Sequence, residues 1–161
     1  MPHQGKKPLD WNSFWPVTCT LVRVSNKDVV KGLRILVLED EQDTRDLLQF
    51  LLESHGATVM VADNVPEGLE IFAKSRPDIV VADIGMPEYN GYAFIAAVRK
   101  QQRPELRNVP VIALTAFSTP ADRDTALISG FNEYLSKPFG PEELLRTIRR
   151  LHDEHRIDTA A

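Results

Sequence analysis

The 161-residue sequence has a single cysteine, Cys19, so no disulfide can form within the chain and nothing indicates an oxidising compartment. Long apolar runs are also absent, since no segment approaches the roughly 18 consecutive apolar residues that span a bilayer. The N-terminal "MPHQGKKPLDW" lacks the apolar core of a signal peptide. We therefore expect a cytoplasmic protein without a membrane partner.

Two further features are missing. Neither a GxGxxG nor a GxxxxGK[ST] loop occurs, so the sequence does not indicate a dinucleotide-binding or nucleoside-triphosphate-binding domain. Excess positive charge is missing from the main body, because residues 32–161 contain fourteen Lys/Arg and twenty-one Asp/Glu, whereas residues 1–31 contain five and two. An acidic body argues against a nucleic-acid partner.

The sequence does contain a regular alternation of short apolar runs with longer amphipathic stretches. In residues 43–56, for example, Leu47, Leu48, Leu51 and Leu52 recur on one helix face and Gly56 provides a stop. Alternating strand-length and helix-length segments predict an α/β fold, with a parallel sheet covered by helices on both faces. The predicted strands are residues 33–38, 57–62, 78–83, 109–115 and 131–135, and the predicted helices are residues 43–56, 66–75, 92–102, 120–130 and 141–154.

The pattern also divides the chain. Residues 1–32 contain three prolines and a short alternating piece, "VTCTLVRV", which predict an N-terminal arm or linker. The alternation extends over residues 33–153, the predicted domain, and residues 154–161 form a predicted C-terminal tail. We expect no attached DNA-binding output domain, so that any output comes from another chain or from a segment upstream.

Polar residues follow the apolar runs at the predicted strand ends. Strand one ends in Glu39 and Asp40, strand three in Asp83, strand four in Thr115, and strand five leads to Lys137. In an open α/β sheet, ligands bind beyond the carboxyl ends of the strands. We therefore expect three acids, a hydroxyl and an ammonium to converge on one edge of the sheet.

This set of residues favours phosphoryl chemistry. Clustered carboxylates raise one another's pKa unless a cation intervenes, and hard oxygen ligands suit Mg²⁺ better than a thiophilic metal. With its charge partly neutralised, Asp83 can act as a nucleophile toward phosphorus. Lys137 and Thr115 would then bind phosphoryl oxygens.

Four motifs at these strand ends carry a family resemblance: "VLEDE", "ADIGMPEYNG", "ALTA" and "YLSKPF". Together they resemble the receiver domain of two-component response regulators, and also the receivers of hybrid histidine kinases, over roughly residues 33–152. The resemblance implies a flavodoxin-like, doubly wound, five-stranded parallel sheet with strand order 2-1-3-4-5. It also implies a signalling domain in a phosphorelay rather than an enzyme, one that promotes only its own phosphoryl transfer and hydrolysis.

For the acids, the resemblance implies that Asp83 is the phosphoacceptor. Asp40 would bind Mg²⁺ directly, Glu39 would support the metal, and the backbone carbonyl of Gly85 would be a further ligand. Glu39 departs from the commonest pattern, which has Asp at this position.

For the remaining positions, the resemblance implies that Thr115 and Lys137 contact the phosphoryl group. Tyr134 occupies the position of an aromatic that turns inward when Thr115 moves, so these two residues would form the switch. The Lys137–Pro138 peptide bond is expected to be cis.

The implied partners are a histidine kinase or phosphotransfer protein and a downstream effector, and the sequence leaves open whether phosphorylation causes homodimerisation.

One alternative function is a binding module of the same fold that never receives phosphate. Another is the C-terminal receiver of a hybrid histidine kinase, with residues 11–24 as a remnant of its ATP-binding domain. A phosphatase of the haloacid dehalogenase type would require a second acid where this chain has Gly85.

Overall fold

The computed structural model describes residues 28–85, 91–116 and 119–160. Its strands are β1 (Arg34–Leu38), β2 (Thr58–Ala62), β3 (Ile79–Asp83), β4 (Val111–Thr115) and β5 (Glu133–Ser136). All four neighbouring pairs are parallel, and the order across the sheet is β2-β1-β3-β4-β5. The predicted α/β class and the strand order 2-1-3-4-5 are confirmed.

Among the described residues, five helices of nine or more residues connect or follow the strands: α1 (Gln42–Ser54), α2 (Val65–Ser75), α3 (Gly91–Arg99), α4 (Pro120–Ser129) and α5 (Pro141–Ala160). A helical turn at Pro104–Arg107, between α3 and β4, is not predicted from the sequence. Proline suits the first position of a helix, but four residues are too few to show a helical period.

Within the described part of the chain, no helix has the length and apolar character needed to cross a membrane.

The core lies in two layers, one on each face of the sheet. Side chains alternate between faces along a strand, so Ile35 and Val37 of β1 join one layer while Leu36 and Leu38 join the other. Helices α1 and α5 cover the first layer, and α2, α3 and α4 cover the second. Because β3 and β4 are buried along their whole length, the central strands form a rigid base for the residues that follow them.

The division of the chain into arm, domain and tail stays a prediction, although the structure adds two facts about it. Val30 is fully buried in the core and its amide donates to the carbonyl of His55, so residues 28–32 pack onto the domain. Helix α5 continues through residues 154–160, because no glycine or proline interrupts it and i,i+4 ion pairs such as Arg149–Asp153 support the exposed side. Residues 11–24, the proposed remnant strand, lie outside the described residues.

At the amino edge of the sheet, the side chain of Arg99, at the end of α3, binds two connections, the one before β4 and the one before β5. Its guanidinium donates to backbone carbonyls at 2.6 to 3.0 Å and to the side-chain oxygen of Asn132 at 2.7 Å. The carbonyls belong to Gly130, Arg107 and Val109. This planar fork holds the segments that enter β4 and β5.

We expect Arg99→Lys to lower the free energy of unfolding by about 2 kcal/mol, because a lysine ammonium cannot reach all four acceptors and leaves partly buried carbonyls without a donor. Urea denaturation of the variant and the wild type measures the difference. Arg103→Lys, at an exposed position nearby, is the matched control and should change stability little. Equal losses in the two variants would contradict a specific role for Arg99.

Candidate functional site

Three central strands and β5 deliver the predicted site residues to the carboxyl edge of the sheet. Glu39 directly follows β1, Asp83 is the last residue of β3, Thr115 is the last residue of β4, and Lys137 directly follows β5. Since β1 pairs with β3, β3 with β4 and β4 with β5, the four residues stand side by side. Their convergence follows from the topology.

Lys137 makes the direct contacts within this group. Its Nζ lies 3.1 Å from Oε2 of Glu39 and 3.2 Å from Oδ2 of Asp83. Its backbone amide donates to the carbonyl of Thr115 at 2.7 Å. The Lys137–Pro138 peptide bond is cis, as predicted. One ammonium is therefore shared between two buried carboxylates.

The carboxylate of Asp83 is fixed at both oxygens. Oδ1 accepts a hydrogen bond from the amide of Gly85 at 2.7 Å, while Oδ2 faces Lys137. The start of α3 lies close to the end of β3: a Cβ added to Gly91 would lie only 2.8 Å from the carbonyl oxygen of Asp83. Glycine at position 91 therefore lets the helix approach the strand end that carries the acid.

We call the three carboxylates of Glu39, Asp40 and Asp83 the acidic pocket. One oxygen from each lies within 4.8 Å of the others. Glu39 is 1 % exposed and Asp83 is 7 % exposed, whereas Asp40 is open to solvent. Carboxylate oxygens at a half-open edge match a hard, partly hydrated divalent cation such as Mg²⁺ in both chemistry and charge.

Burial and charge act against ionisation of Glu39. Burial is the larger cause and the neighbouring charge of Asp83 is the second, and together they raise the pKa of Glu39 from 4.5 to about 7 against the opposing effect of Lys137. For Lys137, burial alone lowers the pKa, but the charges of Glu39 and Asp83 outweigh it and the net pKa is raised. Lys137 is thus held as an ammonium, and it does not neutralise both acids.

The two predicted switch residues lie beside one another. Thr115 is fully buried, Tyr134 is 8 % exposed, and their side chains share a hydrogen bond. Burial, followed by the charge of Asp122, raises the pKa of the Tyr134 hydroxyl. The phenol therefore lies inside the domain, next to the hydroxyl that ends β4.

Sequence reasoning missed two residues at this edge. Asp122 forms a reciprocal capping box with Thr119 at the start of α4, and the spacing of those two residues could have revealed it. Arg45 of α1 donates to the backbone carbonyl of Glu39 at 2.9 Å. A contact between a helix side chain and the backbone of the preceding loop leaves no regular spacing of residues in the sequence. No sequence pattern could therefore have identified Arg45.

The raised pKa of Glu39 predicts a specific pH dependence of stability. Above pH 4.5 the unfolded chain loses this proton, while the folded protein keeps it until about pH 7, so this residue makes stability fall as the pH rises through that window. Without divalent metal, Glu39→Gln should make this fall in the free energy of unfolding smaller by about 3 kcal/mol. Urea denaturation in chelator at pH 4.5, 6 and 8 measures it.

Glu53→Gln, which changes an exposed carboxylate on α1, is the control for the loss of one negative charge. Its stability should follow the wild-type pH profile. If Glu39→Gln also followed that profile, Glu39 would not be the group that titrates across this window.

Comparison with known proteins gives a consistent result. The family model described as the response regulator receiver domain matches residues 35–149. An uncharacterized 14.6 kDa protein of Leptolyngbya boryana is 47 % identical over 116 residues, which cover 72 % of this chain and 87 % of that protein. The KDP operon transcriptional regulatory protein KdpE of Escherichia coli is 38 % identical over 126 residues, and the match covers 78 % of this chain and 54 % of KdpE. The chain thus spans about half the length of KdpE.

Solved structures agree with these relatives. The receiver domain of the sensor histidine kinase PA1611 of Pseudomonas aeruginosa, determined with a magnesium ion coordinated in its active-site cleft, superposes with a TM-score of 0.69. It is 32 % identical, and the match covers 76 % of this chain and 98 % of that one. The family match covers most of the chain, and the strand order and the polar residues at the strand ends agree with it. The chain belongs to the response regulator receiver domain family, the signalling domain of two-component phosphorelays.

Proposed function

We propose that Asp83 accepts a phosphoryl group from the phosphohistidine of a histidine kinase or phosphotransfer protein. The observation that carries this proposal is the environment of the Asp83 carboxylate. It is buried at a strand end, oriented by the Gly85 amide, and placed against the Lys137 ammonium in a cluster of three acids. The Gly85 contact would also suit an Asx turn, but the Lys137 ammonium and the two neighbouring acids suit a nucleophile toward phosphorus better than they suit a turn former.

The transfer follows from these contacts. The hydrogen bond from Gly85 to Oδ1 keeps the carboxylate in one orientation and leaves Oδ2 beside Lys137. We assign Oδ2 as the attacking oxygen. It forms the new bond to phosphorus as the bond from phosphorus to the histidine nitrogen breaks, and the electron pair of that bond stays on the imidazole. Lys137 is then close enough to bind a phosphoryl oxygen, with Thr115 as a second donor.

The acidic pocket fits magnesium. Glu39, Asp40 and Asp83 would hold the ion, together with the Gly85 carbonyl. Bound there, Mg²⁺ would offset the repulsion among the acids and the charge of the incoming phosphoryl oxygens. The magnesium ion in the PA1611 receiver supports this choice of metal.

Output would pass through Thr115 and Tyr134 to a surface formed by α4, β5 and α5. These elements are already linked by charge, since Glu133 of β5 pairs with Arg123 of α4 at 3.5 Å and with Arg150 of α5 at 2.7 Å. We propose that a downstream effector protein reads this surface, and that the only chemistry of the domain is uptake and hydrolysis of its own phosphoryl group. The similarity to KdpE is compatible with an output in transcription.

Incubation with Mg²⁺ and acetyl phosphate should add one phosphoryl group, about 80 Da, to the wild-type protein. Intact-mass spectrometry detects it. We expect no gain without Mg²⁺ and none in Asp83→Asn, a nearly isosteric change that removes the nucleophile. Asp124→Asn, at an exposed position on α4, is the matched control and should gain the same mass. Uptake by Asp83→Asn at the wild-type level would exclude Asp83 as the acceptor.

Lys137→Ala should slow phosphoryl uptake about 10- to 100-fold, because it removes a preorganised cation from the site where charge develops during transfer. The rate of mass gain at saturating Mg²⁺ measures the effect. Lys100→Ala, an exposed lysine after α3, should react at the wild-type rate. A wild-type rate in Lys137→Ala would mean that this lysine pairs the acids without assisting the transfer.

A further inference from the structure

The loop between β1 and α1 is only three residues long, yet it provides two of the three carboxylates of the acidic pocket. Glu39 and Asp40 lie between Leu38, the last residue of β1, and Gln42, the first residue of α1. The amide of Glu39 still donates to Ala62 of β2 at 3.1 Å, and beyond that bond the chain leaves the sheet. The direction of the next peptide groups must therefore be fixed by something other than the strand ladder.

Arg45 provides that contact. From the first turns of α1 its Nη1 donates to the backbone carbonyl of Glu39 at 2.9 Å and to that of Asp40 at 3.3 Å. The backbone of Arg45 is itself anchored, because its amide donates to the carbonyl of Glu41 at 2.9 Å. One guanidinium thus joins a fixed helix to two successive peptide groups of the loop.

The two loop acids depend on this contact to different degrees. The Glu39 carboxylate is held independently, since it accepts hydrogen bonds from Lys137 at 3.1 Å and from the amide of Glu41 at 3.3 Å. Asp40 is exposed, so the direction of its carboxylate depends mainly on its backbone. A change at Arg45 should therefore act mainly through Asp40.

We propose that Arg45 is a positioning residue for divalent metal binding. By holding the carbonyls of Glu39 and Asp40, it aims the Asp40 carboxylate at the acidic pocket without touching the metal. This inference rests on the proposed function, because it assumes that the acidic pocket binds Mg²⁺. Groups that orient metal ligands from outside typically change metal affinity 10- to 100-fold when they are removed.

Positioning and simple electrostatics predict opposite signs for the same substitution. Arg45 carries a positive charge near three acids, so if charge were its only effect, removing it would strengthen binding of a divalent cation. If Arg45 positions Asp40, removing it weakens binding despite the more negative surroundings. The direction of the change in Mg²⁺ affinity therefore distinguishes the two roles.

The experiment is a titration of the full chain with MgCl₂, followed by isothermal calorimetry, for the wild type, Arg45→Met, Arg45→Lys and Arg146→Met. We expect Arg45→Met to bind Mg²⁺ about tenfold more weakly. Arg45→Lys keeps the charge and a donor but has a shorter side chain than the guanidinium whose Nη1 reaches both carbonyls, so its Mg²⁺ affinity should fall between those of Arg45→Met and the wild type. Arg146→Met removes the same charge from an exposed position on α5 and should bind like the wild type.

A second readout examines the loop without metal. Amide hydrogen exchange of residues 39–41 in chelator should be faster in Arg45→Met than in the wild type, because the loop has lost one of its attachments. Circular dichroism establishes that each variant is folded at the temperature used, and Arg45→Lys carries the test if Arg45→Met does not fold.

The outcomes separate this inference from the proposed function. If the wild-type protein itself binds no Mg²⁺, the metal-dependent function fails. If the wild type binds and Arg45→Met binds equally well or more tightly, the metal site stands and the positioning role of Arg45 is overturned. Weaker binding by Arg45→Met and Arg146→Met alike would also overturn it, because the loss would then not be specific to Arg45.

Discussion

The structure of this protein depends on one unbalanced contact, in which a single ammonium faces two buried carboxylates. Lys137 lies within 3.2 Å of both Glu39 and Asp83, so the group carries one net negative charge when all three residues are ionised. Burying unpaired charge is costly, and the raised pKa of Glu39 expresses that cost. A site with an excess negative charge and fixed oxygen ligands is stabilised by a cation, whereas a complete ion pair would have little affinity for one.

The fold makes this arrangement sustainable. The contacts join residues far apart in sequence, and they meet because β1, β3, β4 and β5 run parallel and end at one edge. Both faces of β3 and β4 are buried, so these strands cannot shift to separate the charges without opening the core. Hydrophobic packing along the strands therefore holds together polar groups that would otherwise move apart into water.

Much of this organisation could be predicted from the sequence. The strand ends were identifiable because parallel strands give short apolar runs, and the polar residue after each run marks the functional edge, as Asp83 and Thr115 illustrate. Side chains that bind backbone at long range were not identifiable. Arg99 and Arg45 both hold loop carbonyls, and their contacts depend on loop conformations that no residue pattern encodes. The extension of α5 to Ala160 was not predicted for a different reason. The helical spacing of buried apolar residues ends at Leu151, but ion pairs and the absence of glycine and proline let the helix continue beyond it.

The same contacts bear on how an event in the pocket could reach the surface. Thr115 ends β4 inside the core and shares a hydrogen bond with Tyr134 of β5. The negative charge of Asp122, at the start of α4, helps to raise the pKa of the Tyr134 hydroxyl. A ligand that forms a hydrogen bond with the Thr115 hydroxyl would compete with Tyr134 for it. Tyr134 belongs to the same close-packed core layer as Ala126 of α4, so a displacement of its ring would act on the packing of that layer. We propose that a local change of charge in the pocket reaches the exposed side of α4 through this hydrogen bond and this packed layer.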